Sequence, residues 1–297
     1  MRSAKRCSEI HSLFDLHTDT PTRLFEESKT DYSFLEGLRR QVQVASIYVP
    51  QRQKNPYTYY RNVLKDFLWR NTLPVNSLEA DKTVLLSLEC GSPFEADIRR
   101  LYSIKQDGIS SVMLTWNYNN SLAGGALDTG GLTLKGINAI KIMNEAGLAL
   151  DLSHLNEKSL IKAAEKAETV LASHSNSKAV RRHPRNLSDD ALKIIKDKGG
   201  IIGINLYPEF LGVGDVFYDT LAHIEHMLDL GLSQNIAIGS DLDGCDADGA
   251  LKKTEHFFDL YSFLKLHLGD EKLLCRIFFD NAYAFYQKLF DKQSIML

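Results

Sequence analysis

The stretch Phe14-Asp15-Leu16-His17-Thr18-Asp19-Thr20-Pro21 puts an imidazole and a carboxylate two residues apart at the end of an apolar run. In a strand, side chains two residues apart leave the same face. A ring nitrogen and a carboxylate oxygen aimed at one point suit a divalent metal ion. The ordinary alternative is a surface hydrogen bond, because a motif this short also arises by chance. Four later apolar runs end in residues of the same chemistry: Glu89 after Ser87-Leu88, His154 after Leu152-Ser153, His174 after Ala172-Ser173, and Asp241 after Gly239-Ser240. Taken singly, each has another reading. Glu89 could cap a helix, either histidine could be a satisfied core residue, and Asp241 with Asp243 could form an Asx turn. Taken together, six such groups would repel or starve for partners unless something shared them. Two divalent cations would supply the missing charge.

The elements that would carry these groups alternate regularly. Eight short apolar runs read as buried parallel strands: 13–18, 43–49, 83–88, 111–115, 148–153, 170–173, 201–206 and 236–240. Helical patterns fill the intervals at 22–40, 56–69, 94–106, 132–146, 157–166, 191–198 and 218–230, with two more at 253–268 and 270–290. Gly147 suits the end of one helix and Ser188 the start of another. Eight strand–helix alternations predict an α/β fold, a (β/α)8 barrel, whose strand C-termini meet at one mouth. The competing doubly wound sheet lacks its Gly-rich first turn here. The 297 residues suit one barrel domain over 1–297, with no linker or low-complexity tract.

Composition narrows the partners. Hydrophobic residues are 44% and charged residues 25%, as in a globular protein. A net charge of −3 gives no reason to expect nucleic acid or a membrane surface. The basic start, Met1-Arg2-Ser3-Ala4-Lys5-Arg6, is followed by no apolar run of signal-peptide length, so the reading is a cytoplasmic protein. Cys7, Cys90, Cys245 and Cys275 form no CxxC pair and are expected to be free thiols.

With these residues in place, the chain resembles the membrane dipeptidase family, peptidase family M19. The matching stretches are Asp15-Leu16-His17-Thr18-Asp19, Ser87-Leu88-Glu89, Leu114-Thr115-Trp116-Asn117, Gly131-Leu132-Thr133, Asp151-Leu152-Ser153-His154, Ser173-His174-Ser175, His183-Pro184-Arg185-Asn186 and Gly239-Ser240-Asp241-Leu242-Asp243-Gly244. The resemblance implies a metal-dependent barrel hydrolase of dipeptides, usually with two zinc ions, sometimes accepting a D-residue at the C-terminal position. It implies that His17 and Asp19 hold one metal, His154 and His174 the other, and Glu89 both. Asp241 would be the acid/base residue and Arg185 the grip on the substrate carboxylate. Trp116 stands where many animal members carry a histidine that contacts substrate near the scissile bond. The chain is also shorter than most relatives and without the secretory and lipid-anchor ends of the animal enzymes. Family habit implies a homodimer.

Residue chemistry agrees with that assignment. Two metal ions roughly 3.5–4 Å apart can share a hydroxide that attacks the peptide carbon. Imidazole and carboxylate ligands without thiolate suit zinc, manganese or cobalt. A guanidinium binds a carboxylate bidentately; a surface salt bridge is the other role open to Arg185. The alternative functions are another amidohydrolase-type hydrolase, acting on an N-acyl amino acid or lactone, and a non-catalytic barrel that binds a peptide-like ligand.

Overall fold

The computed structural model describes residues 10–27, 38–244 and 256–295. Eight parallel strands close into a barrel in sequence order: β1 (Ser12–Thr18), β2 (Arg40–Tyr48), β3 (Lys82–Glu89), β4 (Ile109–Met113), β5 (Ala149–Asp151), β6 (Val170–Ala172), β7 (Ile201–Ile204) and β8 (Ile236–Ile238). All eight coincide with the predicted apolar runs, and the fold is the expected (β/α)8 barrel. Several strands stop earlier than hydrophobicity suggests. After β5 the Ser153 N–H turns to the Asp151 carboxylate at 3.0 Å. The residues that follow are therefore loop, free to take the backbone angles a site needs.

Helix boundaries follow local chemistry. Thr133 caps Leu134–Ala146 by accepting the Gly136 N–H, and Gly147 ends that helix with φ 68°. Ser188 caps Asp189–Asp197 by accepting the Ala191 N–H. Three predicted helices need correction. The helix expected over 22–40 is Thr20–Glu27, residues 28–37 lie outside the described residues, and Arg40 already opens β2. The one expected over 94–106 is split into Ser92–Glu95 and Arg100–Gln106. There Asp97 accepts both the Arg99 N–H at 3.1 Å and its guanidinium at 2.9 Å, a local turn that competes with the helix. The C-terminal helix is Glu271–Cys275 and Asn281–Ile295 with a π-helical turn, Arg276–Asp280, between them. No helix among the described residues is long and apolar enough to cross a membrane.

Two apolar layers hold the barrel. The larger lies between strands and helices. The smaller fills the barrel itself: Phe14, Leu16, Val42, Val44, Leu85, Leu171 and Ala237 meet Phe279, Phe285, Tyr286 and Leu289 from the C-terminal helix. Phe14 stacks on Tyr286 with centroids 5.3 Å apart. Asn281 donates to the carbonyls of Ser233 and Ile236, at the start of β8. That helix therefore plugs the end of the barrel opposite the strand C-termini. Phe14→Ala is expected to cost about 3–5 kcal/mol, the usual loss for a buried phenylalanine, measured by denaturant unfolding. A loss below about 1 kcal/mol would show that the plug is not what holds the barrel floor.

Candidate metal centre

At the strand C-termini the predicted residues come together. His17 lies within β1 and Asp19 one residue beyond it, after a register shift between Asp15 and Thr18. The expected regular pleat is thus replaced by an irregularity that re-aims the chain, and His17 Nε2 and Asp19 Oδ1 still approach to 3.8 Å. Glu89, the last residue of β3, stands between two histidines. Its Oε2 is 3.0 Å from His17 Nε2 and its Oε1 is 3.0 Å from His154 Nε2. His154 Nε2 is in turn 3.0 Å from His174 Nε2. Asp241 Oδ1 lies 3.9 Å from His17 Nε2.

All six groups are buried, and their electrostatics are those of an incomplete site. Burial, then the Glu89 charge, pushes the Asp19 carboxyl well up. Burial likewise raises Asp241, against the attraction of His17; Glu89 repulsion adds to the rise, and Asn205 and Arg185 oppose it. Glu89 is held low despite burial, because His154 and His17 both face it. Burial drives His154 down to about 4 and His174 well below its ordinary value, so both imidazoles are neutral and can offer lone pairs. His17 is raised instead, as Asp19 and Glu89 outweigh its burial.

Three buried ligand atoms make no hydrogen bond of good geometry: Asp19 Oδ1, and His17 Nε2 and Glu89 Oε2, which face each other at 3.0 Å. Buried polar atoms are rarely left so. His17 with Glu89 and His174, and His17 with Asp19 and Asp241, form two groups whose ligand atoms lie within 4.8 Å of one another. Imidazole and carboxylate at such spacing fit a divalent cation.

Arg185 sits on the loop between β6 and the helix Asp189–Asp197 and is only 3% exposed. Its Nε and Nη2 have no hydrogen-bond partner, and its guanidinium carbon lies 5.4 Å from the Phe210 ring centroid. Burial lowers its pKa to about 10, with Asp241 and Glu89 opposing; it remains a cation at neutral pH. A surface salt bridge is not what this side chain makes. Trp116 lies three residues past β4, against Tyr48 at 5.5 Å and His154 at 5.8 Å. It lines a cavity of about 360 Å3 with Asp19, Glu89, Asn117, Tyr207, Phe210 and Asp241. Cys90, next to Glu89, is a free buried thiol whose pKa burial pushes up to about 11. Cys275 is exposed; Cys7 and Cys245 lie outside the described residues.

Sequence reasoning missed the residues behind the ligands. Asn205 donates to Asp241 Oδ2 at 3.0 Å. Asn117 Oδ1 is 2.8 Å from His154 Nδ1, and the Ser173 hydroxyl lies 3.2 Å from His17 Nδ1 and 2.8 Å from His174 Nδ1. Such contacts fix ring orientation and aim the other nitrogen. Asn205 had a legible signal, the one amide side chain inside the seventh apolar run, 201–206. Asn117 and Ser173 had none apart from their neighbours.

Comparison with known proteins follows the same line. The family profile described as membrane dipeptidase (peptidase family M19) matches residues 70–287. An uncharacterized protein in the pqqA 5' region of Klebsiella pneumoniae is 31% identical over 65% of this chain and 77% of its own length. An uncharacterized dipeptidase of Schizosaccharomyces pombe is 33% identical over 50% of this chain but only 38% of its own length. The chain thus spans well under two thirds of that relative. Among solved structures, a Rhodobacter sphaeroides metallo peptidase, liganded with a phosphinate mimic of the dipeptide L-Ala-D-Ala, superposes with a TM-score of 0.83 at 21% identity, over 95% of this chain and 99% of that one. A dipeptidase of family M19 superposes with a TM-score of 0.85 at 22% identity, over 94% and 98% of the two chains.

Because the carboxylates repel one another without cations, adding Zn2+ to metal-free protein is expected to raise Tm. A hundredfold excess over Kd corresponds to about 2.7 kcal/mol of added stability, read by thermal unfolding. No shift at saturating Zn2+ would contradict a metal centre here.

Proposed function

Since this chain belongs to the membrane dipeptidase family, peptidase family M19, we propose that it hydrolyses the peptide bond of dipeptides with two divalent metal ions, most simply Zn2+, held at the barrel mouth. The observation that carries this reading is the split of Glu89: one carboxylate oxygen faces His17 and the other faces His154. His17 and Asp19 would hold one ion, His154 and His174 the other, and Glu89 both. The unsatisfied ligand atoms and the neutral state of His154 and His174 support that division. When bound, such ions supply Lewis acidity, lowering the pKa of water and polarising a carbonyl.

The chain's own groups do the rest. Arg185 offers two unpartnered donors from a buried guanidinium, a fit for a substrate's terminal carboxylate. That anchor fixes which peptide bond reaches the ligand cluster. Asp241 takes the proton of the attacking water and returns it to the leaving amine. The Asn205 amide holds one Asp241 oxygen and leaves the other turned towards His17 at 3.9 Å. Trp116 walls the cavity and presents an N–H donor that cannot take up a proton near neutral pH. It can bind a substrate oxygen, but the proton traffic is left to Asp241. The cavity of about 360 Å3 has room for two residues. Dipeptides with a C-terminal D-residue belong in the substrate range, a reading prompted by the mimic that the Rhodobacter sphaeroides relative binds. We also read residues 1–297 as one barrel domain, supported by the packing of the C-terminal helix into the barrel.

The test is a hydrolysis screen of L-L and L-D dipeptides, with and without a chelator, on wild type and Arg185→Met. Chelator-sensitive hydrolysis is expected. Arg185→Met should raise KM for free dipeptides well above its effect on C-terminally amidated ones, which carry no charge for the guanidinium. Chelator-resistant hydrolysis or no hydrolysis would overturn the metallo-dipeptidase reading. Equal losses on both substrate types would remove Arg185 from the carboxylate.

A further inference from the structure

Two buried carboxylates that touch no ligand atom repeat one arrangement at opposite sides of the mouth. Asp15 in β1 is 3% exposed and Asp151 in β5 is 1% exposed. Asp15 Oδ1 accepts the N–H of His17, two residues on, at 3.2 Å, and the N–H of Ser240, across the seam with β8, at 2.9 Å. Asp151 Oδ1 accepts the N–H of Ser153, two residues on, at 3.0 Å, and the N–H of Ser173, across the seam with β6, at 3.1 Å. Ser240 directly precedes Asp241, and Ser173 directly precedes His174. Asp15 Oδ2 also accepts the Ser240 hydroxyl.

Each carboxylate takes over where a strand ladder runs out. Asp15 is opposite Ile238, the last residue of β8, and Asp151 is opposite Leu171, one residue before the end of β6. Beyond those points the chain turns sharply. His154 has φ 69° and Asp241 φ 62°, a region costly for residues other than glycine. Such angles persist only where neighbours fix them, and Asp151 and Asp15 bind the N–H groups of Ser153 and Ser240, the residues directly before them.

We propose that Asp15 and Asp151 are paired positioning residues, each setting one half of the metal centre: Asp15 the half made by His17, Asp19 and Asp241, and Asp151 the half made by His154 and His174. This assignment rests on the binuclear reading given above. The two carboxylates act through backbone N–H groups, so their loss should change where ligands point before it changes the chemistry of any ligand. Removing such outer contacts typically lowers metal affinity about 10–100-fold.

The experiment compares Zn2+-loaded wild type, Asp15→Ala and Asp151→Ala dialysed against a chelator series, counting metal per chain and locating the ion that remains by anomalous diffraction. Asp15→Ala is expected to release the ion at His17 and Asp19 at about 10–100-fold weaker chelation and keep the other near wild-type affinity. Asp151→Ala should release the ion at His154 and His174 first and loosen the other to a smaller extent, because the Ser173 hydroxyl that it positions also lies 3.2 Å from His17 Nδ1. Asp→Asn at either position keeps one acceptor oxygen and should recover most of the loss; if an alanine variant fails to fold, the asparagine pair carries the same comparison with a smaller shift. Equal loosening of both ions in both variants, or a lower Tm of the metal-free protein with unchanged ion affinities, would overturn the proposal and leave the two carboxylates as fold struts. Wild type that never holds a second ion would overturn the binuclear reading, and the one-clamp-per-ion assignment with it.

Discussion

Like-charge repulsion among Asp19, Glu89 and Asp241 is the constraint to which the rest of the mouth answers. Three buried carboxylates within reach of one another are tolerable only when cations or donors compensate them. Part of the compensation is built in: Arg185 lies close enough for Asp241 and Glu89 to act on its pKa, and Asn205 donates to Asp241. The remainder is missing from the chain's own inventory, as the unsatisfied atoms of His17, Asp19 and Glu89 show. A divalent ion is the group that such a deficit of positive charge accommodates best.

That constraint reaches into the backbone. Residues with positive φ other than glycine include Cys90, His154, Asp241 and Asp243, all at or just after strand ends on the mouth side. Each such angle costs of order 1–3 kcal/mol. The cost is borne above a barrel interior plugged by Phe14 and Tyr286. His17 and Glu89 reach the centre from within strands, whereas His154, His174 and Asp241 reach it from the loops that follow the short strands β5, β6 and β8.

Much of this was legible in the sequence. All eight strands were visible as apolar runs, since a parallel strand covered on both faces needs continuous hydrophobicity. The ligand types were visible because each follows such a run. What hydrophobicity could not reveal was local competition for backbone N–H groups. Asp97 breaks a predicted helix by taking the Arg99 N–H, and Asp151 ends β5 by taking the Ser153 N–H. The π-helical turn at Arg276–Asp280 leaves no mark in a 3.6-residue pattern. Asn205 and Ser173 escaped for another reason: their role is to contact ligands far away in sequence, at separations only the closed barrel sets.

The central claim is that one carboxylate, Glu89, serves both halves of the centre. Metal content of wild type and Glu89→Gln, loaded with Zn2+ and dialysed against the same chelator series, tests it most directly. Replacing the charge by an amide is expected to loosen both ions together, leaving the variant depleted of both at chelator levels where wild type keeps its full complement. Loss of one ion with the other held at wild-type affinity would contradict the shared role and confine Glu89 to a single site.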